Sequence, residues 1–400
     1  MNDPTRGEKE PAIGPGLDPA DLLDALAAGG LFRCAGVPDS TLAPLLAALA
    51  EDSRFDATTA SSECEAVAIA AGQYLATGAP SWIYLQNSGL GKTVNPITTL
   101  MAPEICGIPA LLVIGWRGAP DGAPDEPQHV VMGRILPGLL TEIGVAHEVL
   151  TGERDELAAA LARAQHHMGE RRAPYALVVR PGLLAGKHPA SPPPAGAFTR
   201  KAVIASLLEA LPRDTRFVAT TGKAARELYF LREDRGEGHP MDFHTVGGMG
   251  CASGIGLGLA SQLSRSHPGQ RVCVLDGDGA ALMQLGNLAT IAAAAPHNLL
   301  HVVLDNGCHD STGGQPTAAP AADLARVARA LGYPSSQQVH DPTELAVALE
   351  GVLAKPELAM IVAKVAPGSD PRLGRPHESP GHNTQAFRDA LRHQLTGPGV

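Results

Sequence analysis

The segments RVCVLDGDGA at residues 271–280 and LLHVVLDNGCHDSTGGQ at residues 299–315 decide the fold. Val272 to Leu275 is a short β-branched, apolar run that stops at Asp276-Gly277-Asp278-Gly279, the pattern of a buried parallel strand emptying into a tight loop. Ala281 to Ala295 is helical in composition and is closed by Pro296, after which a second apolar strand from Leu299 to Leu304 ends in Asp305-Asn306. This predicts one βαβ unit. Its strands point the same way, so Asp278 and Asn306, 28 positions apart, come to the same carboxyl edge of the sheet. A carboxylate and an amide oxygen facing one spot, completed by a backbone carbonyl and phosphate oxygens, make an octahedral Mg²⁺ site of the kind that holds a diphosphate.

Four hundred residues suffice for two domains, each with its own core. Aromatics are only 4% of the chain, and abundant Ala, Leu, Val and Gly suit close-packed α/β layers. A net charge of −10 argues against nucleic-acid or anionic-membrane partners, because no basic stripe is available to neutralise phosphates. No apolar run approaches the length of a membrane span, and MNDPTRGEKEP lacks the basic-then-apolar order of a signal peptide, so a cytoplasmic protein is expected. The six cysteines show no paired spacing and predict reduced thiols rather than zinc or disulfides.

Residues 1–16 read as a disordered arm. A first domain is expected over 17–183, a Pro/Gly/Ala-rich linker over 184–199, a second domain over 200–367 and a polar extension over 368–400, ending in a helix. In the first domain, TTASSECEAVAIAAGQYLATG is a buried helix with Glu63 and Glu65 at its start, a position where a carboxylate is ordinarily stabilised by the dipole. WIYLQ delivers Asn87-Ser88-Gly89-Leu90-Gly91-Lys92, and IPALLVIG empties into Trp116-Arg117-Gly118 and the loop APDGAPDEPQHVVMGR, which suggests a loop lining a site. In the second domain RFVATTG carries Thr220, Thr221, Gly222 and Lys223 at its carboxyl end. HTVGGMGCASGIGLGLASQL opens with glycines and becomes an apolar helix. No Gly-x-Gly-x-x-Gly in it falls between a strand and a helix, so a dinucleotide site is weakly supported.

Taken alone, Gly-Asp-Gly is turn chemistry. With its partner strand it resembles the signature of thiamine diphosphate enzymes, a Gly-Asp-Gly followed downstream by an Asn pair. Asp305 replaces the first Asn, Asn306 matches the metal ligand, and the carbonyl of Cys308 matches the third protein ligand beside Asp278. The resemblance implies two doubly wound parallel-sheet α/β domains, one for the pyrimidine and one for the diphosphate of the cofactor, without the usual middle domain. It further implies a homo-oligomer whose sites lie between subunits. Glu63 stands nine positions before Gly72, the family's spacing for the glutamate that hydrogen-bonds the pyrimidine ring nitrogen, whereas Glu65 is out of register. Thr221, Gly222, Gly248, Met249, Gly277, Gly279 and Ala280 are implied as further cofactor contacts, with Met249 beneath the bent cofactor.

The blocks GVPDS at 36–40, YLQNSGLG at 84–91, WRG followed by DEPQH, TTGKAAREL, LDNGCHDSTGGQ and GRPHESP narrow the likeness to the phosphonopyruvate decarboxylases. The reaction implied converts phosphonopyruvate, a small 2-oxoacid, to phosphonoacetaldehyde and CO₂ in phosphonate biosynthesis. A thiazolium ring supplies the electron sink that the departing carboxylate requires. A substrate bearing a carboxylate and a phosphonate needs cations or donors. Arg117 is the first candidate, then Lys92 and Lys223, with Asn87, Ser88, His129 and Ser311 as neutral or switchable donors and Asp39 as a further substrate-site residue. His129 and His309 are each either a proton donor or a structural loop residue. Sulfopyruvate decarboxylase, a carboligase of the acetolactate synthase type and a non-catalytic partner protein are the competing readings.

Overall fold

The computed structural model describes residues 16–186 and 191–395 and divides into two compact units, residues 1–188 and 189–400. The arm expected at the N-terminus lies outside the described residues, apart from Gly16. The first unit runs α1 (Pro19–Ala28), β1 (Arg33–Gly36), α2 (Ala43–Glu51), β2 (Asp56–Thr59), α3 (Glu63–Thr77), β3 (Ser81–Gln86) and α4 (Leu90–Pro96). It continues through β4 (Ala110–Gly115), α5 (Pro127–Glu142), β5 (Ala146–Val149), α6 (Arg154–Arg171) and β6 (Tyr175–Val179). Its sheet has the order β2-β1-β3-β4-β6-β5 and every pairing is parallel.

The second unit begins with α7 (Arg200–Ala210), β7 (Arg216–Ala219), α8 (Lys223–Arg235), β8 (Asp242–His244), α9 (Ala252–Ser266), β9 (Val272–Gly277), α10 (Asp278–Met283) and α11 (Gly286–Ala294). Then come β10 (Leu299–Asp305), the hairpin β11 (Cys308–His309) and β12 (Gln315–Pro316), α12 (Leu324–Leu331), β13 (Ser335–Val339), α13 (Pro342–Ala354), β14 (Ala359–Lys364) and α14 (Pro380–Leu395). Its parallel sheet has the order β13-β14-β10-β9-β7-β8. Counted from its own first strand, that is the order of the first unit, so one topology is used twice.

Alternation along the central strands explains the layers. Trp82 and Tyr84 of β3 enter the core under α1, α2 and α6, while Ile83 and Leu85 enter the core under α3 and α5. In β9, Cys273 and Leu275 face one side and Val272 and Val274 the other. The glycine run of α9 serves this packing: a Cβ on Gly256 would lie 2.2 Å from Cγ2 of Val274, so glycine lets the helix sit down on the sheet. The C-terminal extension belongs to the second unit. Asn383 of α14 donates to the Asp242 carbonyl and accepts from the His244 amide, so α14 covers the edge strand β8.

Four differences from the sequence expectation have physical causes. Strand β9 continues through Asp276 and Gly277, which still pair with Val303 and Leu304, and α10 begins directly at Asp278 with no intervening tight loop. The single helix expected over 281–295 is broken at Gln284, whose non-helical backbone, with φ −132° and ψ 47°, separates α10 from α11. Much of the expected lining loop is helix α5, with Pro127 in its first turn and buried His129, Gly133, Leu136 and Leu140 along one face. Strands β2, β5, β8 and β13 were passed over, and all four are sheet edges, where one-sided or partial burial removes the continuous apolar run.

Candidate active site

In an open parallel sheet, ligands bind outside the carboxyl ends of strands at the point where the winding reverses. In the second unit that point lies between β7 and β9, so Thr220-Thr221-Gly222 and Asp278 face it, with Asn306 just beyond the neighbouring β10. Glycine contacts show how four loops close into one cradle. A Cβ on Gly222, whose φ is 101°, would lie 2.9 Å from the Ser311 hydroxyl. One on Gly250 would lie 3.2 Å from the Ala280 carbonyl, and one on Gly279 would lie 2.8 Å from Cε1 of His309. Thr221 donates to the Val246 carbonyl at 2.9 Å, which ties its loop to the strand leading into Gly248 and half-buried Met249.

Asp278 is 2% exposed and accepts a 2.5 Å hydrogen bond from Thr317, just past β12. Burial, reinforced by the nearby Asp305 carboxylate, pushes its carboxyl up to about 6. A buried carboxylate in that state lacks a counter-charge. The end of the neighbouring parallel strand β10 offers hard oxygen donors on the same sheet edge, the side-chain carbonyl of Asn306 and the main-chain carbonyl of Cys308. Burial, with Asp310 close by, pushes the Cys308 thiol up to about 12, so the sulfur stays protonated and does not compete as a soft ligand. The donor set fits a hard divalent cation carrying a diphosphate.

His309 packs on Gly279, and burial lowers its imidazole to about 4, so it is neutral near pH 7 and has no extra proton to give. The ammonium of Lys223 is lowered by burial, then by Arg226 and Arg200. Among the described residues a separate group, His239, Asp242 and His244, has metal-compatible spacing within 4.8 Å. Its carboxylate is already forked by Arg232, at 2.9 and 3.0 Å, so a side-chain cation holds that place.

In the first unit, Ser62 caps α3 by accepting from the Glu65 amide, and Glu65 reaches back to accept from the Ser61 amide at 2.7 Å. Glu65 is therefore an exposed capping residue. Glu63 points inward, 7% exposed, and its Oε2 has no hydrogen-bond donor, although the Lys92 ammonium stands 3.5 Å away at ion-pair distance. Such an orphaned buried carboxyl oxygen is free to share a proton with a ligand. Gly89 presses against this carboxyl: an added Cβ would lie 2.3 Å from Oε1. Its backbone is ordinary αR, with φ −79°, so Gly89→Ala carries no backbone penalty. That variant is expected to unfold within a few degrees of the parent while kcat falls at least about tenfold, since an ångström of misplacement is costly in catalysis. Thermal unfolding beside steady-state assay checks it.

Arg117 is held before any ligand arrives. Asp125 grips it through Nε and Nη2, at 2.7 and 2.5 Å, and Ser40 accepts from Nη1 at 2.9 Å. It lines a small cavity with Ser40, Thr41, Pro44, Pro181 and Gly182. Asp39 and Asn87, expected among the substrate-site residues, are completely buried with their polar groups spent. Asp39 accepts from Gln86 and the Thr41 amide, and a Cβ on Gly115 would fall 1.8 Å from Oδ2. Asn87 bonds both polar groups of the Arg117 backbone, at 2.9 and 3.0 Å, joining the ends of β3 and β4. Neither is presented to a ligand. Exposed Ser88 donates to Gln86, and Lys92 turns toward Glu63. His129 is buried at the start of α5, 3.8 Å from the Glu126 carboxylate, rather than in a loop. Sequence reading missed Thr317, Asp125 and Gln86, whose roles exist only through partners brought together by the fold.

The chain matches known proteins over most of its length. The profile of the thiamine pyrophosphate enzyme N-terminal TPP binding domain matches residues 20–135, and that of the C-terminal TPP binding domain matches residues 221–363. A phosphonopyruvate decarboxylase of Streptomyces viridochromogenes is 40% identical over 92% of this chain and 94% of its own length. Another, from Streptomyces hygroscopicus, is 39% identical over 93% and 94%. A sulfopyruvate decarboxylase of Methanosarcina acetivorans is 28% identical over 92% and 96%.

Proposed function

The chain belongs to the thiamine pyrophosphate enzyme family, within the phosphonopyruvate decarboxylases, and we infer from this that it decarboxylates 3-phosphonopyruvate to phosphonoacetaldehyde and CO₂. The observation that carries the reading is near-full-length identity of about 40% to two enzymes of that name, against 28% to the sulfonate relative. Bound thiamine diphosphate supplies the electron sink for the departing carboxylate. Asp278 and the carbonyl oxygens of Asn306 and Cys308 would hold Mg²⁺, with the amides of Gly279 and Ala280 toward the diphosphate. Glu63 Oε2 would share one proton with a pyrimidine ring nitrogen in a fixed hydrogen bond, which needs the carboxyl where Gly89 leaves it.

The phosphonate requires positive charge. Arg117 is already neutralised by Asp125, whereas Lys223, its ammonium lowered first by burial and then by Arg226 and Arg200, follows Gly222, which packs on the Ser311 hydroxyl, so Lys223 with Ser311 is favoured for the second anion. We further propose that the catalytic assembly is a homo-oligomer in which Glu63 serves the diphosphate site of a second copy. Val130, Val131 and Ile135 of α5, exposed beside buried His129, offer an apolar face for that pairing.

Turnover of phosphonopyruvate, sulfopyruvate and pyruvate tests the substrate. The highest kcat/KM is expected for phosphonopyruvate, and sulfopyruvate as the best substrate would overturn the choice. Acyloin in place of free aldehyde would mark a carboligase, and no CO₂ from any of the three a non-catalytic partner.

A further inference from the structure

Asn306 can serve a cation only if its amide is the right way round, because its NH₂ end repels a metal and its oxygen binds one. The structure shows what sets that orientation. Asn306 Nδ2 donates to Asp310 Oδ2 at 2.8 Å, and a carboxylate accepts but cannot donate, so the NH₂ must face Asp310 and the oxygen must face away. Oδ1 then accepts from the Cys308 amide at 3.2 Å, which curls the loop and leaves one lone-pair direction open.

Asp310 is itself fixed from three other directions. Arg200 Nη1 donates to Oδ2 at 3.0 Å, the Gly368 amide reaches both oxygens at 3.1 and 3.2 Å, and the Cys308 thiol donates to Oδ1 at 3.2 Å. Arg200 is in turn forked by Glu227 of α8, at 2.8 and 3.0 Å, and the three side chains are about nine-tenths buried. A buried ion cluster of this kind is weak as a stabilising device but strong as a positioning one, because truncating one member leaves a buried charge unpaired. We propose that Asp310 is a positioning residue that locks the Asn306 amide with its oxygen toward the cation, and that Arg200 and Glu227 hold Asp310 for this task. The inference rests on the reading of Asn306 as a cation ligand.

The test uses the full chain with Mn²⁺ as the probe, its binding in the presence of thiamine diphosphate followed by electron paramagnetic resonance. Asp310→Asn presents a side chain that can itself donate, so Asn306 is free to flip, and Mn²⁺ affinity is expected to fall 10–100-fold, the usual cost of losing an outer-shell partner. The swap Asp310→Asn with Asn306→Asp puts a carboxylate, which has no wrong orientation, at the ligand position and a donor behind it. Affinity should then return to within about threefold of the parent, since a reciprocal swap restores the same hydrogen bond. Parent-like affinity in Asp310→Asn, or a swap as weak as the single variant, overturns the proposal. Asn306→Ala separates the two readings: if it binds Mn²⁺ like the parent, Asn306 is not a ligand and the underlying assignment fails instead.

Discussion

Replacing Glu63 by Gln is expected to leave thiamine diphosphate binding close to the parent value while lowering kcat by about 10²–10⁴, the range of a positioned proton-transfer group. The amide has the shape of the carboxyl, so the contact with Gly89 and the burial among α3 and α4 are preserved. What is lost is a carboxylate able to share a proton with a ring nitrogen. Glu65→Gln is the control. Glu65 caps α3 from an exposed position, so that variant should cost about 1 kcal/mol or less of stability and little turnover. Calorimetric binding beside steady-state kinetics reads both variants. Equal losses from the two, or none from Glu63→Gln, would mean that the register from Gly72 selects the wrong carboxylate.

The second large effect is expected at Asp278. Asp278→Asn should weaken Mg²⁺-dependent cofactor binding by 100-fold or more, on the order of 3 kcal/mol, because the site loses a buried carboxylate that the cation would neutralise. The parent should show a matching pH dependence. The Asp278 carboxyl is raised from 3.8 to about 6, so between those values the cation-free folded chain holds a proton that the unfolded chain has released. This group's contribution to stability is therefore present below pH 4 and lost as pH rises through 6. Cation affinity has the opposite slope: below pH 6 it should rise about tenfold per pH unit as the competing proton leaves, then level off. Asp278→Asn should abolish that slope and leave the cation-free chain at least as stable at pH 7. A parent whose affinity is flat between pH 5 and 6 would remove Asp278 from the ligand set.

How much of this could be read from sequence depended on whether the signal was local. Central strands such as β4 and β10 are buried on both faces and appear as near-continuous apolar runs, whereas the edge strands β2, β5, β8 and β13 carry too few apolar residues to stand out. Helix α5 was hidden because its Gly and Pro content resembles a loop; the buried face through Leu136 and Leu140 outweighs that bias in the folded chain. Asp278 and Asn306 were legible because parallel strands place successive carboxyl ends on one edge whatever the intervening sequence does. Asp310, Thr317 and Asp125 were not. Each acts through contacts with Asn306, Asp278 or Arg117 that only the hairpin β11–β12 or the segment before α5 creates, and neither spacing nor periodicity encodes such contacts. Asp39 and Asn87 show the converse: strand-end polar residues that look like ligand donors are consumed in holding the edge itself.

The most direct measurement is aldehyde and CO₂ release from phosphonopyruvate by the purified chain after metal and cofactor have been stripped and then returned separately and together. Release is expected only when thiamine diphosphate and Mg²⁺ are both present. Release without either one, or none with both, would contradict the account.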